Sequence, residues 1–548
     1  MTKFTFQLVG AMEKILPDRQ PRPLHAGVQR GFLGEKLSVQ LAYTCENDDL
    51  GGSNCSFIPR LRTDAQTQTA LRRVELVPCG YPCHGTRDAD YLVTTAGMYP
   101  DLLRPLRQDT PVKAIAAQWR ALWLDVTAAA GTHTITIELF TPDGVCLERL
   151  SFAVEVLGMQ LPEQTLLHTQ WFHADCLANY YHVPVFSEAH WNYIDNFMRS
   201  AAEHGVNMLL TPIFTPPLDT AKGGERTTVQ LVGVTRTDGC YSFDFSLLRR
   251  WIALCEKNGI RELELSHLFS QWGAACAPKV IACVDGTQMR LFGWETPAVG
   301  GEYTRFLHAF LPALKRFLAE CGWLEHTWFH ISDEPSEEQL PSFAAARDSV
   351  RELLDGCRVI DALSSYEFYR RGLVTRPVVS VDHIEPFIRC KVPHLWAYYC
   401  TGQAVQVPNR FIAMPSSRNR ILGVLLYYFR IEGFLHWGFN FYNSQYSLEH
   451  IDPYRVTDAG EGFPSGDPFL VYPAPDGTAY ESIRGAVLQK ALCDLRALEL
   501  LEARRGRAWV MQLLDTLAGE PLSFSRYPRS ADFFDRLREA MAQELATD

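Results

Sequence analysis

The stretch His326-Thr327-Trp328-Phe329-His330-Ile331-Ser332-Asp333-Glu334-Pro335 sets two adjacent carboxylates at the end of an aromatic and β-branched run. Trp328, Phe329 and Ile331 suit a buried strand. Pro335 has no backbone donor, so the strand should stop before it. Two acids side by side in a partly desolvated site cannot both ionise freely, and their pKa values separate. One then holds a proton near neutrality while the other stays charged, which is what general acid–base chemistry needs. A solvated loop pair, or acids capping a helix that starts near Ser336, would explain an isolated Asp-Glu-Pro as well. The surrounding elements favour chemistry.

Those elements follow a strand–helix rhythm from Leu161 onward. Eight apolar strands are expected, at Leu166–Asp175, Asn207–Ile213, Arg261–Leu268, Thr327–Asp333, Arg358–Leu363, Val379–Ile384, Leu395–Thr401 and Phe434–Asn440. Amphipathic helices are expected at Trp191–His204, Phe245–Asn258, Tyr303–Cys321, Ser336–Leu354 and Ser417–Arg430. A further helix, Ser482–Glu502, would close the ring. Alternation of this kind predicts an α/β fold, a (β/α)8 TIM-type barrel with Asp333 and Glu334 at the carboxyl end of its fourth strand. Short alternating strands broken by turns before Gly158 predict an all-β sandwich in front of it. The expected domains are therefore 1–160, a sandwich; 161–503, the barrel; and 504–548, a short helical extension.

With the strands so placed, their ends gather His173 and Asp175, then His267, Gln271 and Trp272, then His330. Asp382, His383 and Glu385 follow, with Trp396, Tyr398 and Tyr399, and finally His436, Trp437, Asn440 and Tyr442. Hydrogen-bonding groups interleaved with Trp and Tyr suit a sugar, whose hydroxyls need directional partners and whose C–H face packs on an aromatic plane. The selected binding residues are His173, Trp272, His330, Tyr398, Trp437 and Asn440. Gly438 beside Trp437 is expected to leave room for a ligand. Aromatics capping the barrel core explain any single ring equally well. His173, His267 and His330 could instead bind zinc, but backbone-bonded core histidines are commoner. Asp382 and Glu385 are the second-ranked acids, because they lack the apolar frame around Asp333.

Composition narrows the class. The 548 residues are 47% hydrophobic and 21% charged, as in ordinary globular proteins. A net charge of −11 without a basic stripe argues against nucleic acid or a membrane surface as partner. There is no phosphate-cradling glycine loop. The 15 scattered Cys read as reduced thiols, and no export signal precedes them, so a cytoplasmic protein is expected. Cys79, Cys83 and His84 lack a second ligand pair, and no metal or cofactor is expected.

The segment Phe329-His330-Ile331-Ser332-Asp333-Glu334-Pro335 resembles the catalytic signature of glycoside hydrolase family 123. The resemblance continues through Leu291-Phe292-Gly293-Trp294, Leu395-Trp396-Ala397-Tyr398-Tyr399 and Gly433-Phe434-Leu435-His436-Trp437-Gly438-Phe439-Asn440. It covers roughly residues 160 to 500. It implies a retaining exo-glycosidase that releases N-acetylgalactosamine from a small β-linked oligosaccharide or glycoconjugate by substrate-assisted catalysis. Glu334 would be the general acid and base. Asp333 would accept the acetamido N–H and steer the acetamido oxygen onto the anomeric carbon. By position, Tyr398 would bond the acetamido oxygen and Trp437 would floor the sugar. The family favours Tyr or Trp where this chain has His436, which predicts an altered pocket. The competing readings are a β-N-acetylglucosaminidase, a catalytically silent carbohydrate-binding barrel, and a metal-dependent hydrolase built on the three histidines.

Overall fold

A computed structural model of the chain describes residues 3–24, 28–46 and 55–546. The fold is mixed α/β, in two compact units. One comprises Thr165–Val407 and Phe429–Ala479; the other comprises Met1–Gln164, Pro408–Tyr428 and Tyr480–Asp548.

The first unit is built on a nine-stranded parallel sheet. Its order is Arg358–Val359, Thr327–Phe329, Glu262–Leu265, Met208–Thr211, Leu167–Gln170, Gly433–His436, Trp396–Tyr398, Pro377–Ser380 and Asp361–Leu363. The first and last of these flank Ile360, so the sheet's two edges are consecutive in the chain. The result is a nearly closed parallel barrel. Each of the eight expected strand regions overlaps an observed strand, the fifth being split at Ile360 and the sixth and eighth beginning earlier than expected. The apolar runs read as strands because helices cover one face while side chains such as Trp171, Met208, Leu210, Trp328 and Trp396 fill the other. Glu188–Glu203, Ser246–Lys257, Gly301–Glu320 and Leu340–Val350 are the long helices of this unit.

Two local expectations fail here. The first strand was expected to run to Asp175 but stops at Gln170, and Ala174–Tyr180 is a helix with His173 at its N-cap. Between the second and fourth barrel strands lies an unexpected four-stranded sheet, ordered Cys240–Asp244, Gly233–Thr237, Val280–Val284, Thr287–Phe292. Its hairpins turn on Asp238-Gly239 and Asp285-Gly286, all four residues at positive φ, the two-residue turn that matches strand twist.

The second unit holds two further sheets. Strands Lys3–Gly10, Leu37–Glu46, Arg120–Ala128, Thr67–Cys79 and Gly97–Pro105 are five consecutive strands of one; Val28–Leu33, Cys146–Gln160, Gly131–Phe140, Ser56–Arg62 and Val112–Lys113 form the other. They bury a shared core, with Val39, Leu41 and Leu124 from one sheet and Ile135, Ile137 and Phe152 from the other. Helices Ser416–Tyr428, Ile483–Arg505, Arg507–Ala518 and Ala531–Ala546 belong to this unit. The segments expected to be barrel helices near 417–430 and 482–502 thus group with the N-terminal sheets, as does 504–548. Gly423 explains part of this: a Cβ there would lie 1.9 Å from the Ala491 carbonyl, so the two helices cross at backbone contact. A buried cluster adds to it, in which Asp494 binds Arg420 and Arg538, and Arg538 also binds Glu35. Among the described residues no helix is long and apolar enough to cross a membrane.

Candidate active site

The strand Thr327–Phe329 is short, and the chain beyond it is positioned by its neighbours' side chains and carbonyls. Asp361 Oδ1 accepts the backbone N–H groups of Ile331 (2.8 Å) and Ser332 (3.1 Å). The Ser332 hydroxyl donates to the Ser270 carbonyl at 2.8 Å. Trp272 N–H donates to the Asp333 carbonyl at 3.0 Å, and Glu334 N–H donates to that of Ala362 at 3.1 Å. Glu334 itself sits at φ 43°, in the left-handed region. Non-glycine residues pay for that conformation and keep it where the surroundings demand it. Both acids are therefore held by main-chain bonds to the two flanking strand ends.

Each carboxylate has its own donor. Gln271 Nε2 donates to Asp333 Oδ2 at 2.7 Å. The Asp219 N–H donates to Gln271 Oε1 at 2.6 Å, which fixes the amide so that its NH2 group faces Asp333. The Tyr398 hydroxyl donates to Glu334 Oε1 at 2.5 Å, and Cys400 Sγ lies 4.0 Å from the same oxygen. Burial pushes Asp333 up to about 8, with the Glu334 charge adding to it against the Gln271 bond. Burial also raises Glu334, opposed by the Tyr398 bond and helped by the Asp382 charge. The two titrate as a pair, so near neutrality the site keeps a proton and a charge.

Beneath them lies a polar layer that composition gave no hint of. Glu264, fully buried, accepts from the Thr169 hydroxyl, from Trp171 Nε1 at 2.8 Å and from His330 Nε2 at 2.7 Å. His330 Nδ1 is 3.7 Å from Asp361 Oδ1. Burial works against a charge on His330, yet Asp361 and Glu264 hold its pKa up to about 9, so it is an imidazolium. Its ring stacks on that of His267 at 4.3 Å, inclined by 28°. Burial, with the His330 charge beside it, drives His267 far below the usual range, and it is neutral. His330 is 0% exposed. It supports the acids from below and does not meet a ligand, a correction to its expected binding role.

Three further expectations are corrected. Both ring nitrogens of His173 are taken: Arg226 donates to Nδ1 at 3.1 Å and Nε2 bonds the Trp437 carbonyl at 2.9 Å. Burial, with the Arg226 charge, lowers its pKa to about 3. Asn440 spends its amide on the His173 backbone, accepting from N–H at 2.9 Å and donating to C=O at 3.0 Å. It ties the segment after the Gly433–His436 strand to the N-cap of the Ala174–Tyr180 helix, and at 0% exposed it is withdrawn from a sugar. Gly438 provides no ligand space either, because a Cβ there would lie 2.3 Å from the Pro468 carbonyl. Its close approach to another backbone is the reason for glycine.

Tyr398 touches Glu334, Trp272 adjoins Asp333 and is 41% exposed, and Trp437 is half-buried with its indole N–H on Asp467 Oδ2 at 2.9 Å. His436 is buried, with Nδ1 accepting from Gly438 N–H at 3.0 Å and Nε2 3.3 Å from Asp467 Oδ1. Asp382 bonds Gln403 and His383 and contributes charge toward Glu334. Among the described residues no three His, Cys, Asp or Glu side chains converge on a point that could hold a metal ion. The functional-looking residues that the sequence reading passed over are Glu264, Asp361 and Asp219, while Gln271 was placed at the strand ends without a role. Glu264 had a signal, a second acid two residues after Glu262 and so on the same face of a short strand in which acids alternate with Leu.

The model of the glycoside hydrolase 123 catalytic domain matches residues 171–501, more than half of the chain. A solved structure of a family 123 glycoside hydrolase from Clostridium perfringens, described for glycolipid glycan hydrolysis, is 15% identical. The alignment covers 99% of each chain at a TM-score of 0.74, so the two share a fold. A β-glucuronidase from Parabacteroides merdae aligns over 89% of this chain and 54% of its own, at 10% identity and a TM-score of only 0.31. No match was found among curated protein sequences.

Proposed function

This chain belongs to glycoside hydrolase family 123, and from that premise we propose that it is a retaining exo-glycosidase releasing N-acetylgalactosamine from β-linked glycans or glycoconjugates by substrate-assisted catalysis. The observation that carries the reading is the adjacent acid pair, Asp333 buried and Glu334 half-buried, bonded to different donors, Gln271 and Tyr398. We read the parallel barrel as a (β/α)8 barrel and the paired sheets as a β-sandwich. The 15 free cysteines support a reducing, cytoplasmic setting.

The chemistry follows from where the shared proton goes. In the free site it favours Asp333, since Tyr398 stabilises the Glu334 anion. A substrate acetamido N–H donating to Asp333 favours the Asp333 anion instead, and the proton moves to Glu334. Glu334 then protonates the leaving glycosidic oxygen while the acetamido carbonyl oxygen attacks the anomeric carbon, and the C–O bond to the leaving group breaks. The Asp333 anion stabilises the positive oxazolinium ring. Tyr398, released from a neutral Glu334, is free to bond the acetamido oxygen. Water, deprotonated by Glu334, opens the ring at the anomeric carbon and restores the starting state with net retention. The ordinary retaining arrangement sets two carboxyls ~5–5.5 Å apart across the bond, and neighbouring acids on one strand end do not need that span.

Replacing Glu334 by Gln tests the role. Hydrolysis of an unactivated β-N-acetylgalactosaminide should fall by ~10²–10⁴-fold. Glycosides with acidic leaving groups, which need no protonation, should lose far less. Unimpaired turnover of the unactivated substrate by Glu334→Gln would refute the assignment and leave a binding protein as the better reading.

A further inference from the structure

We propose that Trp272 and Tyr446 together form a second saccharide platform beside the acid pair, one that takes the sugar ring on the leaving-group side of the cleaved bond. This rests on the glycosidase reading above and names what it would grip. Large aromatic side chains are normally withdrawn from water, yet Trp272 is 41% and Tyr446 is 42% exposed. Their rings stand edge to face at 6.2 Å. Neither the Trp272 indole N–H nor the Tyr446 hydroxyl bonds any described residue, so each ring offers an apolar face and an unused polar edge. That combination fits a saccharide better than a lipid chain, which would leave the polar edges unsatisfied.

Their backbone shows that the exposure is built in. Trp272 has φ 55° and Tyr446 has φ 59°, both in the left-handed region that bulky side chains avoid. Asp219, itself at φ 40°, holds the second ring in place: its Oδ2 accepts the Tyr446 N–H at 3.0 Å and its carbonyl accepts the Ser447 hydroxyl at 2.7 Å. Asp219 also donates its N–H to Gln271, which donates to Asp333, while the Trp272 N–H bonds the Asp333 carbonyl. The platform and the acid pair therefore share one chain of bonds. A ring lying on it is adjacent to the bond that Asp333 and Glu334 address. In an exo-acting enzyme the sugar next to the cleaved one is the leaving group.

Two substrates separate this from a general defect: the disaccharide β-N-acetylgalactosaminyl-(1→3)-galactose, and β-N-acetylgalactosaminyl fluoride, whose leaving group has no ring. In Trp272→Ala and Tyr446→Ala, kcat/KM for the disaccharide should fall about tenfold more than for the fluoride, the size of one lost aromatic contact. Trp272→Phe and Tyr446→Phe, which keep a ring, should recover most of the difference. Equal losses on both substrates, or no loss on either, would overturn the platform. If the wild type cleaves neither compound, the glycosidase reading has failed. Calorimetric titration of the disaccharide then still decides the platform, with binding weakened about tenfold by the two alanine variants if it stands and unaltered if it does not.

Discussion

Gln271 shows at the scale of one residue how the site is tuned. Its amide is oriented by a backbone N–H, and its donated bond is the only described one to the Asp333 carboxylate. That bond lowers the Asp333 pKa, so its loss raises it. In Gln271→Ala we expect a kcat about tenfold lower and an acidic limb of the pH–rate profile displaced upward, since Asp333 must ionise to receive the acetamido group. A profile of unchanged position with lower amplitude would indicate a structural role alone. Asp333 and Glu334 were legible in the sequence because a proline and an aromatic strand frame them. His173, His330 and Asn440 were legible as residues near the site but not as what they do. Whether a polar side chain faces a ligand or spends its bonds on the protein depends on partners distant in the chain, such as Arg226 for His173 and Glu264 for His330.

At the scale of elements, the acids depend on Asp361, which sits where the fifth barrel strand breaks. It satisfies two buried N–H groups of the segment leading to Asp333. Asp361→Ala leaves both unpaired and should cost ~2–5 kcal/mol of stability, read by chemical denaturation. Asp361→Asn keeps the acceptor and should cost clearly less; equal losses would mean the charge toward His330 matters more than the bonds. Gly438→Ala should be similarly damaging, because the obstacle is the Pro468 carbonyl and not a movable side chain. The eight barrel strands could be read because strands covered on both faces are runs of apolar residues. The four-stranded sheet was overlooked although Asp238-Gly239 and Asp285-Gly286 advertised its turns, since its strands are half-exposed and carry few apolar residues. Gly438 was misread because sequence does not tell a glycine that admits a ligand from one that admits a backbone.

For the whole molecule, the buried charges predict how stability varies with pH. Asp333 is held at about 8 and His330 at about 9, both above their unfolded values. The folded chain therefore binds more protons than the unfolded one, and stability falls as pH rises from about 4 to 8 through Asp333 and from about 6.5 to 9 through His330. Asp494 acts in the opposite sense: despite burial, Arg420 and Arg538 hold it down to about 2, so its contribution is lost as pH falls from about 4 toward 2. The melting temperature should thus decline on both sides of a mildly acidic optimum. Asp333→Asn should remove part of the alkaline decline and raise the melting temperature at pH 8, at the expense of activity. A melting curve that the substitution leaves unchanged at pH 8 would show that folding does not raise the Asp333 pKa. The sequence disclosed two kinds of architecture but not their grouping, because helices after the seventh and eighth strands pack, through Gly423 and Asp494, on partners fixed only by the folded chain. The central claim is that the substrate's own acetamido group performs the first displacement. Its most direct test compares kcat/KM for matched aryl β-galactosides with and without the 2-acetamido group: neighbouring-group attack predicts at least ~10²-fold preference for the N-acetylated compound, and equal rates on the two would contradict it.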